Sequence, residues 1–158
     1  MIRLFLKTSI LLFIFLTMGC GFKVLNETQN NNFFIKDIIV SGDKRINFKI
    51  KNNLLTYSKE NSQNEILINF NSRKEKNTKE KNIKNEVTKY QINLTVNLTV
   101  KLLNTGEEVT LSTSNNGDYL VAESYATTLD NEKKLINDLI ENSSEEIVKK
   151  INLKLDDI

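Results

Sequence analysis

The residues able to make or break bonds are few. Among the 158 residues there is no His, so nothing in the chain carries an unperturbed base near neutral pH, and Cys20 is the only thiol. No Ser-centred elbow, phosphate loop or metal-spaced set of ligands occurs. The acid pair Asp156-Asp157 is terminal and reads as solvated. Catalysis is therefore not expected, and neither is a cofactor. What remains is three sets of side chains suited to contact chemistry. Cys20 follows Gly19 at the end of an apolar run. Arg73, Lys74, Lys76, Lys79 and Lys81 form a cationic run suited to phosphates. Asn93, Thr95, Asn97 and Thr99 recur every second residue and can donate and accept hydrogen bonds without carrying charge.

Cys20 is positioned by the segment before it. Arg3 and Lys7 precede an apolar run from Ile10 to Met18, roughly half of the ~20 residues that a spanning helix needs, so residues 1–19 read as an export signal. Leu16-Thr17-Met18-Gly19-Cys20-Gly21 resembles a bacterial lipobox, with Leu16 one place further upstream than the usual aliphatic position. On that resemblance the chain is cut before Cys20, whose sulfur and new amino group take up acyl chains. The covalent lipid on Cys20 is then the only non-protein group. The alternative is an ordinary buried thiol behind an uncut signal. Several acyl chains at ~0.8 kcal/mol per buried CH₂ anchor durably where one does not. Gly21 in place of Asp makes the outer membrane the default destination in the lipoprotein pattern. Without Arg3 and Lys7, the remaining chain carries 20 Lys and Arg against 20 Asp and Glu. A neutral body has no electrostatic reason to bind nucleic acid.

The uncharged series lies within the most strongly patterned stretch of the chain. From Val87 to Leu103, Tyr90, Ile92, Leu94, Val96, Leu98, Val100 and Leu102 alternate with polar residues, which makes a long strand with one apolar and one polar face. The polar face is either plain solvent surface or a surface that lies against another polar wall. Other elements must cover the apolar face. Phe33–Val40 is a predicted first strand, ended by Ser41-Gly42-Asp43. Ile46, Ile50, Leu54 and Tyr57 recur at helical spacing behind Asp43, predicting a helix over 44–59, although Ile46, Phe48 and Ile50 also alternate. Ile66, Ile68 and Phe70 predict a strand over 65–73. The cationic stretch Arg73–Lys84 then reads as a solvated hairpin loop, or as a loop that meets phosphates. After a turn at Asn104-Thr105-Gly106, residues 107–114 read as the return strand. Asn115-Asn116-Gly117-Asp118 is a turn or a bend within an extended segment, and 119–126 shows neither period cleanly. From Leu129 to Leu155, Ile136, Ile140, Ser143, Ile147, Ile151 and Leu155 form one helical stripe behind Asp130 as cap.

This order of elements resembles the LPS-assembly lipoprotein family (LptE). The resemblance is carried by Cys20-Gly21-Phe22, the helix opening Asp43-Lys44-Arg45-Ile46 leading to Asn53-Leu54-Leu55, the strand pair around Thr105-Gly106-Glu107, and Tyr125-Ala126 before the terminal helix. The Arg73–Lys84 stretch and an Ala-poor terminal helix depart from the pattern. The resemblance implies an α+β two-layer sandwich, a mixed four-stranded sheet with two helices packed on one face. Its boundaries would be a signal peptide over 1–19, an acylated tether over 20–32 and an LptE-like domain over 33–158. It also implies lipid anchoring on the periplasmic side of the outer membrane and two partners, an LptD-type β-barrel that the lipoprotein plugs and helps assemble, and LPS itself. The five cations would then meet LPS phosphates, and Asn93, Thr95, Asn97 and Thr99 the barrel wall. The alternative is an outer-membrane lipoprotein that serves as adaptor for another envelope machine, such as one of secretion or pilus assembly.

Overall fold

In a computed structural model, residues 31–157 are described; the signal segment and Cys20 lie outside them. The elements are β1 (Phe34–Gly42), α1 (Lys44–Thr56), β2 (Glu65–Lys81), β3 (Val87–Leu102), β4 (Glu108–Leu120) and α2 (Tyr125–Asp156). The sheet runs β1-β2-β3-β4, with β1 parallel to β2 and the other pairs antiparallel. Both helices lie on one face, α1 against β1 and β2, α2 against β3 and β4, and they touch each other. This is the expected α+β sandwich with a mixed sheet.

The alternation along β3 makes the core. Ile92, Leu94, Val96, Leu98, Val100 and Leu102 are each at most 3% exposed. Ile66, Ile68 and Phe70 of β2 stand opposite Leu102, Val100 and Leu98. The α2 stripe closes over them, with Ile140, Ser143, Ile147 and Ile151 buried as the helical period requires. Entry into α1 is built by three side chains. Asp43 accepts from the backbone N–H groups of Arg45 (2.9 Å) and Ile46 (3.1 Å), capping the helix as expected. The buried Asn47 donates to Ser41 O (2.8 Å) and accepts from Ser72 Oγ (2.5 Å), so its amide is satisfied at both ends. Gly42, at φ +97°, brings the chain past β2, where a Cβ would lie 2.3 Å from Ser72 O. Only glycine fits there.

The structure corrects the sequence reading at three places and decides between its alternatives at a fourth. The cationic stretch is strand, not loop: β2 continues to Lys81, paired with β3 as far as Val87, and the turn is confined to residues 82–86. Backbone pairing is indifferent to side-chain polarity. The long apolar face of β3 needs a partner over its full length, and Lys74 and Lys76 stand opposite Leu94 and Ile92, where their methylene stems can cover apolar surface. The segment 115–118 is extended, and β4 runs through it to Leu120. A Cβ at Gly117 would lie 2.5 Å from Leu135 Cδ1 on α2, a side-chain end that would have to shift to admit it. Helix α2 begins at Tyr125 behind Ser124 rather than near Leu129 behind Asp130, and Thr128 Oγ1 accepts from Ala122 N (2.9 Å) to fix the entry. At its other end α1 stops at Thr56, three residues short of the expected Lys59.

Candidate functional site

Both helices lie on one face, and among the described residues nothing covers the other face of the sheet. On it Asn93, Thr95, Asn97 and Thr99 form one row along β3. The register sets each between two neighbours: Thr99 between Asn69 and Thr110, Asn97 between Asn71 and Ser112, Thr95 between Arg73 and Ser114, Asn93 between Glu75 and Asn116. The rows of Asn97 and Thr99 are therefore uncharged across three strands, while Arg73 and Glu75 flank Thr95 and Asn93 on β2. The groups of this face partly satisfy one another: Ser112 donates to Asn97 Oδ1 (2.8 Å), Asn71 donates to Ser41 Oγ (3.0 Å), and Thr95 and Ser114 hydroxyls are 3.5 Å apart. Most charges on this face are ion-paired: Lys101 with Glu108, Arg73 with Glu75, Lys89 with Glu80, Lys79 with Asp118. Such a surface offers many hydrogen bonds worth about 0.5–1.5 kcal/mol each and little charge to desolvate.

Sequence reasoning found the β3 row but missed its flanks, Asn69 and Asn71 on β2 and Thr110, Ser112, Ser114 and Asn116 on β4. The period of two in each strand was the available signal. What a single strand cannot show is the register that places the three rows side by side.

The five cations are not gathered in one loop. Arg73 and Lys79 face the open side and are paired with Glu75 (2.8 Å) and Asp118. Lys81, at the hairpin end, donates to Asn85 Oδ1 (3.0 Å). Lys74 and Lys76 stand on the helix-covered face. Lys76 is a clamp: its Nζ donates to Glu132 Oε2 (2.7 Å) and lies 4.3 Å from the Tyr90 ring centre, while Tyr119 Oη donates to the same Glu132 oxygen (2.8 Å). The stacked rings of Tyr90 and Tyr119 and the carboxylate thus tie the start of α2 to the sheet.

Burial pushes the Glu132 carboxyl up, but hydrogen bonds from Lys76 and Tyr119 outweigh it and hold the group below the usual 4.5. A carboxyl lowered in the folded state stabilises above its unfolded pKa and loses that contribution as pH falls through the lower folded value. Glu132→Gln is therefore expected to cost about 1 kcal/mol near pH 7, a modest figure because Lys76 is partly exposed. The difference from wild type shrinks to nothing well below pH 4.5. Urea unfolding of both proteins at pH 7 and pH 3 checks this.

Among the described residues, no group of three His, Cys, Asp or Glu is placed to hold a metal ion. No described helix is long and apolar enough to cross a membrane.

No family model matches the chain, and no curated protein sequence matches it. Solved structures do match. The chain is similar to rare lipoprotein B from Shewanella oneidensis, at 14% identity and a TM-score of 0.60, covering 77% of this chain and 97% of that one. It is also similar to lipoprotein B from Nitrosomonas europaea, at 12% identity and a TM-score of 0.53, covering 84% of this chain and 90% of that one. At these identities the likeness is one of fold. The chain has the fold of solved bacterial lipoproteins.

Proposed function

We propose that this chain is an outer-membrane lipoprotein, anchored on the periplasmic side through Cys20, that occupies the lumen of an LptD-type LPS-transport barrel. There it serves as plug and assembly aid and takes part in LPS insertion. The observation that carries this reading is the open face: three strands wide, uncharged along the rows of Asn97 and Thr99, with most of its charges ion-paired. A surface of that kind can lie against the polar inner wall of a barrel, exchanging water for protein hydrogen bonds without stranding a charge. The fold shared with solved lipoproteins and the lipobox-like segment ending at Cys20 support the anchored location. In this reading the work is done by shape and contact rather than by bond-making. Of the five cations that the resemblance would set against LPS, Arg73, Lys76, Lys79 and Lys81 are held by partners within the chain. Lys74 is the one left to meet an acidic ligand.

The test is purification of the acylated chain from outer membranes, with mass analysis of what comes with it. The expected companion is a large outer-membrane β-barrel of the LPS-transport type. A secretion or pilus component in its place, with no barrel, overturns the assignment.

A further inference from the structure

Lys74 is not alone in lacking a partner. Among the described residues, most cations are ion-paired to acids or bonded to amide oxygens. Eight have no ion pair or side-chain hydrogen bond: beside Lys59, Lys84, Lys134 and Lys149 these are Lys44, Arg45, Lys133 and Lys74, the last with only a longer-range pull on Glu132. The latter four converge on one cleft of about 490 Å³ between the start of α1 and the first half of α2, lined also by Lys49, Ile46, Ile136 and Ile140. The cations are exposed at the rim. Ile46 and Ile140 are 3% and 2% exposed and form an apolar floor with the partly buried Ile136. The cleft's only acid is Asp43, whose carboxylate is engaged with the α1 backbone. A bridge from Lys49 Nζ to Asn137 Oδ1 (2.5 Å) joins the helices. Beyond it, the second half of the groove is lined by Asn52, Asn53, Thr56, Glu141 and Ser144 and has a polar character. The two halves of one inter-helix groove thus differ in chemistry, one basic with an apolar floor, the other neutral to acidic.

From this geometry we infer that the basic half is a binding site for a single-chain anionic amphiphile, its phosphate-type head held by Lys44, Arg45, Lys74 and Lys133 and its first methylenes on Ile46, Ile136 and Ile140. Four cations with no acid of their own to satisfy call for an anion of more than one charge, and phosphate accepts from several donors at once. The volume suits a small ligand and is too small to enclose a glycolipid with many chains. The site stands independently of the barrel reading, since both helices lie on the side of the sheet away from the open face.

The test uses the full acylated chain in phosphatidylcholine nanodiscs, titrated calorimetrically with hexyl phosphate, inorganic phosphate and hexyl glucoside, with empty discs as blank. Hexyl phosphate is expected to bind at least about tenfold more tightly than either comparison ligand, the gain over inorganic phosphate being what roughly two buried methylenes supply. Lys44→Glu with Lys133→Glu is expected to weaken it at least tenfold. Both positions are exposed, and an unchanged melting temperature establishes that the variant is folded. Lys133→Gln alone should give a smaller loss in the same direction. Equal binding of hexyl glucoside, equal binding of inorganic phosphate, no binding of hexyl phosphate, or no effect of charge reversal in the folded variant would each overturn the proposal.

Discussion

A chain carrying Thr95→Glu together with Asn97→Glu is expected to fold normally and to lose the barrel. Both side chains lie on the open face, so each change should move stability by no more than about 0.5 kcal/mol, a shift of a few degrees in melting temperature. The consequence at an interface is different. Asn97 now accepts from Ser112, and Thr95 stands 3.5 Å from Ser114. Two carboxylates in their places would have to be desolvated against the barrel wall, with the only nearby cation on this face, Arg73, already engaged by Glu75. An unpaired charge buried at an interface costs several kcal/mol, so the co-purified barrel should fall at least tenfold. Alanine would be a poor probe here, since deleting one modest hydrogen bond changes too little. Normal recovery of the barrel with the folded double variant would defeat the assignment of this face.

The second large effect concerns the sheet itself. Phe70 is 1% exposed and stands on β2 opposite Leu98, with Val40 of β1 on its other side. Phe70→Ala should lower stability by about 3–5 kcal/mol, the lost transfer energy plus that of the cavity left behind. That is a large part of the ~5–15 kcal/mol available to a typical domain. Ile83, fully exposed at the β2–β3 turn, serves as the control: Ile83→Ala should stay within about 0.5 kcal/mol of wild type. Equilibrium unfolding followed by circular dichroism measures both. Similar values for the two would mean that the core is not where the alternation puts it.

The contrast between those residues also shows which parts of the fold were legible in the sequence. Where side-chain period and burial coincide, as from Ile92 to Leu102 and from Ile140 to Ile151, the pattern alone located strand, helix and core. It failed where polar residues occupy a strand because a neighbour requires pairing: Lys74 and Lys76 look like loop residues until Leu94 and Ile92 stand opposite them. At 115–118, read as a turn or a bend within an extended segment, the pattern could not choose, and pairing with β3 makes the segment extended. The candidate face was half legible for the same reason. Asn93 to Thr99 announce themselves by alternation within one strand, but their flanks on β2 and β4 become one surface only through register. The cations were misread as a group because sequence proximity hides the alternation of faces, which sends Arg73 to one side of the sheet and Lys74 to the other.

The most direct test is to place a photoreactive side chain at Asn97 in one chain and at Lys149, exposed on α2, in another, irradiate living cells, and identify what each captures. The open face predicts a strong cross-link from position 97 to the LPS-transport barrel and a much weaker one from position 149. Capture of the barrel from position 149 with none from 97, or of an unrelated envelope component from 97, would contradict it.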